Sequence, residues 1–190
     1  MIEWFHPAIL FIFGALLIPI LKGKARQVYL VMIPAIAVIN VASMSSGTYW
    51  TYNLLGSEII FGKVDKLSLV FAYVFTIMAL IGMIYALHVD DVAQHIAAFL
   101  YVGSSLGVTF AGDYFTIFIF WEIMAFASAY LVFAQRGKAA VDAGFRYLMV
   151  HIAGGLFLLG GIILHYVDTG SILFGRIEKD GSLALNMILI

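Results

Sequence analysis

The chain has 190 residues, of which 64% are hydrophobic and 11% charged, with 16 Phe, 10 Tyr and 3 Trp. Soluble domains carry about a quarter charged residues, so these proportions and a mean hydropathy of +1.06 exclude a water-soluble globular domain and leave lipid as the solvent. A net charge of -1 offers nucleic acid no basic field, and the absence of Cys excludes disulfides, thiolate metal sites, thioether haem attachment and iron–sulfur ligation.

A bilayer core takes about 20 apolar residues as a helix. Six charge-poor windows of that size follow along the chain, at about 4–21, 27–46, 67–88, 92–112, 114–134 and 145–166. The predicted fold is therefore an all-α polytopic membrane protein of about six transmembrane helices, a single transmembrane domain over residues 1–190. The first window begins near Trp4 and His6, and its basic residues follow the apolar run. A signal peptide has the reverse order, so this window reads as a true span. Prolines 7, 19 and 34 lie at ends or inside spans, where neighbouring helices satisfy the freed carbonyls. Asn40, alone in the second span, reads as a packing hydrogen-bonder. In the fourth span Gly103 and Gly107 have the spacing of a close helix contact, and Ser104, Ser105 and Thr109 are able to bond across helices. Gly112-Asp113 alone separates the fourth and fifth windows, which predicts an antiparallel hairpin with Asp113 as the cap of the fifth helix.

Short-loop Lys and Arg orient such a chain. Loop 22–26 holds Lys22, Lys24 and Arg26, and loop 135–146 holds Arg136, Lys138 and Arg146. These six face Lys63, Lys66, Arg176 and Lys179 on the other side, so both ends of the six-span block point outward. Beyond the sixth window, a polar stretch leads to LALNMILI, eight residues that cannot span. They form either an interfacial tail or the threshold of a seventh span supplied by another polypeptide.

Ionisable residues at membrane depth carry the functional information, since a carboxylate there costs about 2.5–3.5 kcal/mol even on a permissive scale. Glu122 lies nine residues into the fifth span from Asp113, about 13 Å below the outer end. Ala125 and Ala129 on its face admit a neighbouring helix. Burial raises a carboxyl pKa and a nearby cation lowers it, so a movable cationic partner would make Glu122 a proton relay. The alternatives are a protonated Glu in one interhelical hydrogen bond and an assembly salt bridge. His151, on a sixth-span face with Gly144, Tyr147, Gly154 and Gly155, sits about 9 Å deeper. It is either a transfer station, linked to Glu122 through waters or Tyr147, or a core histidine bonded to a carbonyl. His95, beside Gln94, reads as a relay exit or a solvated helix end. Arg146 either snorkels to headgroups or turns into the sixth-span interior. No hydrolase, metalloprotease or nucleotide motif is present, and His 6, 88, 95, 151 and 165 lack metal spacing. No catalytic centre, cofactor or metal is expected in this chain.

The stretch from Gly112 to Tyr147, GDYFTIFIFWEIMAFASAYLVFAQRGKAAVDAGFRY, with its aromatic-rich helix and the Trp121-Glu122 pair, resembles the antiporter-like subunits of respiratory complex I, Mrp-type cation/proton antiporters and membrane-bound hydrogenases. Within that family its texture is most similar to the D-type subunit of Mrp antiporters. The resemblance runs over all six spans and implies leading helices over about 4–88, the start of an ion-translocating bundle over about 92–166, and an interfacial tail or further helix over 167–190. It implies that Glu122 faces a lysine on a broken seventh helix, and that this lysine helix comes from a partner chain. The expected setting is a multi-subunit proton- or sodium-translocating complex, respiratory or of hydrogenase or Mrp type, in the cytoplasmic membrane of a prokaryote. A structural membrane subunit without an ion path, and an independent six-helix transporter, are the competing readings.

Overall fold

The computed structural model describes residues 5–54, 56–174, 183, 187 and 188. In chain order these form α1 (Pro7–Leu17), α2 (Gly23–Ala42), β1 (Gly47–Leu54), β2 (Ser57–Val64), α3 (Lys66–Tyr85), α4 (Val92–Phe110), α5 (Tyr114–Phe133) and α6 (Lys138–Thr169). From α2 to α6 the helices are long and apolar enough to cross a membrane. The protein is an integral multi-pass membrane protein, and its fold is mainly helical as expected.

Each predicted window contains a helix, but three boundaries move for physical reasons. The first window yields only the 11 residues of α1, about 16 Å of regular helix. Pro19 lacks an N–H and clashes with the preceding turn. The path therefore loosens into 3₁₀-type bonds, Ile18 N to the Ala15 carbonyl and Ile20 N to the Leu17 carbonyl. The loop expected at 22–26 is instead largely the first turn of α2, which begins at Gly23. A cationic first turn opposes the helix dipole, so Lys24 and Arg26 sit there at some cost to α2. The loop expected over 135–146 shrinks likewise. After Arg136 (φ 57) and Gly137 (φ 95) turn the chain, α6 starts at Lys138 and runs 32 residues. Hydropathy marks only the lipid-embedded part of this helix, because Lys138, Asp142 and Arg146 interrupt the apolar run on an Ala-rich, helix-favouring stretch.

The all-α expectation also missed a β-hairpin between α2 and α3. Its antiparallel register runs from Gly47 opposite Val64 to Leu54 opposite Ser57, closed by a two-residue connection with Gly56 at φ 84, as tight hairpins favour. Within this register Trp50 has a φ of 55. The Phe61 carbonyl accepts from His6 Nε2 at 2.8 Å, while His6 Nδ1 accepts from Ala8 N and caps α1.

The other side of β2 pairs with the α4–α5 joint. Ile60 carbonyl accepts from Gly112 N at 2.8 Å, and Ile60 N donates to Asp113 Oδ2 at 2.7 Å. Asp113 Oδ1 caps α5 through Thr116 N, and Oδ2 also accepts from Thr116 Oγ1, each at 2.7 Å. Tyr114 N donates to the Ile172 carbonyl, so the hairpin, α1, the α4–α5 joint and the segment after α6 meet at one end. Arg136 and Asp91, 3.8 Å apart, mark the opposite end.

Helix α4 is the axis of the bundle, packed on α1, α3 and α5. Its two spaced glycines face different partners. Gly103 lies against Ala8, Phe11 and Ile12 of α1, and Gly107 against the Phe120 ring of α5. Phe11 and Phe99 meet edge to face with centroids 5.4 Å apart. Helix α6 packs mainly on α5. In the tail, Leu183, Met187 and Ile188 are helical, and the Met187 methyl fills the space a Cβ on Gly160 would take. Arg176, Lys179 and the rest of the tail lie outside the described residues, and with them the choice between interfacial tail and further span.

Candidate functional site: the seam between α5 and α6

Two aromatic contacts set the antiparallel register of α5 and α6. Tyr114 meets His165 with centroids 5.2 Å apart, and Phe133 lies in the notch at Gly144. This register brings the Glu122 carboxyl level with Gly155, against whose backbone it rests. A Cβ at position 155 would meet Glu122 Oε1, so any larger residue displaces the carboxyl. The carboxyl has neither hydrogen bond nor ion pair among the described residues; their one salt bridge joins Arg136 and Asp91. Ala125 and Ala129 are buried as expected, at 4% and 3% exposure.

His151 lies one turn from Gly155, about 6 Å along α6 rather than the 9 Å expected from straight helices. Its Nε2 is 2.8 Å from Tyr147 Oη, and Tyr147 Oη donates to Ser128 Oγ on α5 at 2.9 Å. Ser128 Oγ donates in turn to the Ala125 carbonyl at 2.9 Å. These directions leave Tyr147 Oη as acceptor, so Nε2 carries the proton in this network and Nδ1 is the bare nitrogen. Tyr147 thus extends the chain away from Glu122 rather than bridging the two. On the Glu122 side, Trp121 packs its ring on His151 with centroids 5.9 Å apart, and Trp121 Nε1 is buried without an acceptor among the described residues. Neither Ser128 nor Trp121 was singled out from the sequence as a site residue. Ser128 lies six residues from Glu122, and only the helix register pairs it with Tyr147.

The other sequence candidates lie elsewhere. His95 is 3% exposed and bonds the Val89 carbonyl through Nε2 at 2.9 Å, so it locks the loop before α4 and is no solvated helix end. Arg146 is exposed and does not turn into the interior of the bundle. Gly154 faces open space and is outside the seam. Ser104 and Thr109 bond carbonyls of their own helix, a common use of hydroxyls in helices, while Ser105 alone of the three also reaches across, to Met124 Sδ at 3.4 Å. Asn40 Oδ1 is buried and has no hydrogen-bond partner among the described residues. A groove of about 700 Å³ between α3 and α4, lined by Phe71, Phe75, Met78 and Tyr101 among others, holds neither Glu122 nor His151. No cluster with the makings of a metal site occurs among the described residues.

Residues 111–190 match the family described as NADH:quinone oxidoreductase/Mrp antiporter, transmembrane. The Na(+)/H(+) antiporter subunit A1 of Staphylococcus aureus strain bovine RF122 / ET3-1 is 28% identical over 113 residues, covering 56% of this chain and 14% of that protein. Its counterpart in Staphylococcus haemolyticus is 29% identical over 106 residues, 53% and 13% respectively. The chain thus spans a small fraction of these relatives, which are A1 subunits and not the D type that the sequence resemblance suggested. The fold is shared with a chain of an archaeal membrane-bound sulfane sulfur reductase, at TM-score 0.78 and 20% identity over 96% of this chain and 42% of that one. A chain of respiratory complex I from Thermus thermophilus gives 0.79 and 18%, with 96% and 41% covered. The chain is thus similar over residues 111–190 to the transmembrane NADH:quinone oxidoreductase/Mrp antiporter family, and its fold is that of chains in two respiratory membrane complexes.

Proposed function

We propose that this subunit translocates protons or sodium ions, with Glu122 as the group that takes up and releases the ion and His151 as its proton-transfer neighbour. The carrying observation is a mid-helix carboxyl, seated on Gly155 and without an ion-pair partner among the described residues. Such a group is costly in lipid and is retained where it works. Arg146 and His95 have no part in this path. Residues 4–88 supply the leading helices and 92–166 the start of the ion-translocating bundle, within one transmembrane domain. The cation that gates Glu122 is a lysine on a helix outside these 190 residues, carried by a partner in a multi-subunit complex. The bacterial and archaeal origin of its relatives supports the cytoplasmic membrane of a prokaryote as its setting, and the basic ends of α2 and α6 orient it with those ends inside.

Glu122→Gln tests the proposal, because it keeps shape and hydrogen bonding and removes the titratable charge. In everted vesicles carrying the native assembly, the variant is expected to accumulate normally and lose most ion transport, followed with a pH-sensitive dye under a sodium or redox drive. Undiminished transport overturns the reading.

A further inference from the structure

We propose that Ser128, Tyr147 and His151 form a hydrogen-bonded wire that carries protons, and not sodium, between Glu122 and the end of the bundle where the basic residues cluster. The inference rests on the proposed role of Glu122 and adds a route, a direction and an ion. The direction follows from the register. Along α6 the order is Gly155, His151, Tyr147, and along α5 it is Glu122, Ala125, Ser128, so each link lies nearer to Arg136 and Lys138. Ser128 is six residues from Glu122 and five from the end of α5 at Phe133. The wire therefore covers about 9 Å of the roughly 16 Å that separate Glu122 from that end.

The chemistry balances without a co-reactant. In the starting polarity Ser128 Oγ–H points to Tyr147 and Tyr147 Oη–H to a bare His151 Nε2, with the ring proton on Nδ1. A proton arriving from water at Ser128 Oγ moves the serine proton to Tyr147 and the tyrosine proton to Nε2, leaving an imidazolium. Loss of the Nδ1 proton toward the Glu122 carboxyl regenerates a neutral ring with the proton on Nε2. That end state has the polarity seen here, with Tyr147 donating to Ser128 and Ser128 to the Ala125 carbonyl. Rotation of the two hydroxyls and tautomer exchange reset the chain. The remaining gap, about one helical turn between His151 and the carboxyl, is a place for a water molecule. Trp121 Nε1, without an acceptor among the described residues and on the ring that packs against His151, supplies that water with a donor. Direct hydrogen bonds of 2.8 and 2.9 Å pass protons by exchange along the bonds, whereas a sodium ion would need an open, oxygen-lined path.

Tyr147→Phe removes the central hydroxyl and keeps the ring, and Ser128→Ala against Ser128→Thr removes or keeps the next one. In everted vesicles of the native assembly, the bath reaches the basic ends. There Tyr147→Phe and Ser128→Ala are expected to slow proton transport at least about tenfold at bath pH 8 and to recover toward pH 6, with Ser128→Thr near normal. In right-side-out vesicles the dependence on bath pH stays as in the native chain. Undiminished rates for both variants at pH 8, or losses equal in the two vesicle orientations and independent of bath pH, overturn the wire. Glu122→Gln in the same vesicles separates the two ideas: if it alone abolishes transport the relay stands without the wire, and if it transports normally both fall. If Tyr147→Phe fails to accumulate in the membrane, the Ser128 pair decides.

Discussion

The two polar regions of this apolar chain are built on opposite principles. At the hairpin end, buried polar groups are closed off. Asp113 is 0% exposed and takes three bonds of 2.7 Å, and His6 uses both ring nitrogens, on Ala8 and Phe61. In the α5–α6 seam the polar groups are open-ended: among the described residues Glu122 is unpaired and Trp121 Nε1 lacks an acceptor, and a bonded chain turns its His151 end toward both. A fully satisfied network in a low-dielectric setting rigidifies, while an unfinished one is costly, so the first region holds the bundle and the second has the character of a working site.

The largest effect is therefore expected at the closed end. Asp113→Ala orphans Ile60 N, Thr116 N and Thr116 Oγ1 together, at about 1–3 kcal/mol for each buried group left unmade. Loss of several kcal/mol should remove the subunit from the membrane fraction, measured by immunoblot and limited proteolysis. Normal accumulation with normal protease resistance would show that the knot is not what holds the hairpin to the helices.

Two glycine substitutions sharpen the contrast. In Gly112→Ala the new Cβ meets the Ile60 side chain, and in Gly155→Ala it meets the Glu122 carboxyl. Overpacking costs about 1–3 kcal/mol where neighbours cannot yield. The change at the joint should thus appear as reduced thermal stability in detergent with activity per molecule retained. The change in the seam should leave the subunit level near normal, because a side-chain carboxyl can swing aside, and cut transport several-fold. Similar phenotypes for the two would erase the distinction.

Much of the fold was legible because lipid imposes a simple length rule, and five windows match helices of 19 or more residues. The boundaries at α1 and α6 were not, since hydropathy is blind to a proline-loosened turn at Pro19 and to helix that extends past the lipid at Lys138. The hairpin was missed although its composition carries the signal: Thr48, Tyr49, Trp50, Thr51 and Tyr52 on one side of Gly56, and Ile59, Ile60 and Phe61 on the other, are strand formers. Glu122 stood out because a carboxylate in an apolar run has no cheaper explanation. Ser128 did not, because a helical serine is ordinary until the register of a second helix places Tyr147 beside it.

The smallest effect expected lies at the rim of the closed end, where Asp65 couples β2 to α3. Its Oδ1 accepts from Ser68 N at 2.7 Å and Ser68 Oγ accepts from Asp65 N at 2.8 Å, a capping box. The bond from the Ser68 amide, aided by the Ser68 hydroxyl and the Leu67 amide, holds the Asp65 carboxyl below the ordinary carboxylate value of 3.8. A carboxyl lowered in this way stabilises the folded state in full above its unfolded value, and the contribution is lost as pH falls through the lower, folded one. Thermal stability in detergent should therefore fall as pH drops below about 4, and part of that fall should vanish in Asp65→Asn, which cannot titrate. Because Asp65 is exposed, the whole cap contributes only about 1 kcal/mol, read as the loss at neutral pH in Asp65→Ala. An unchanged acid limb in Asp65→Asn would mean that acid acts elsewhere and that this cap does not set the acid stability of the closed end.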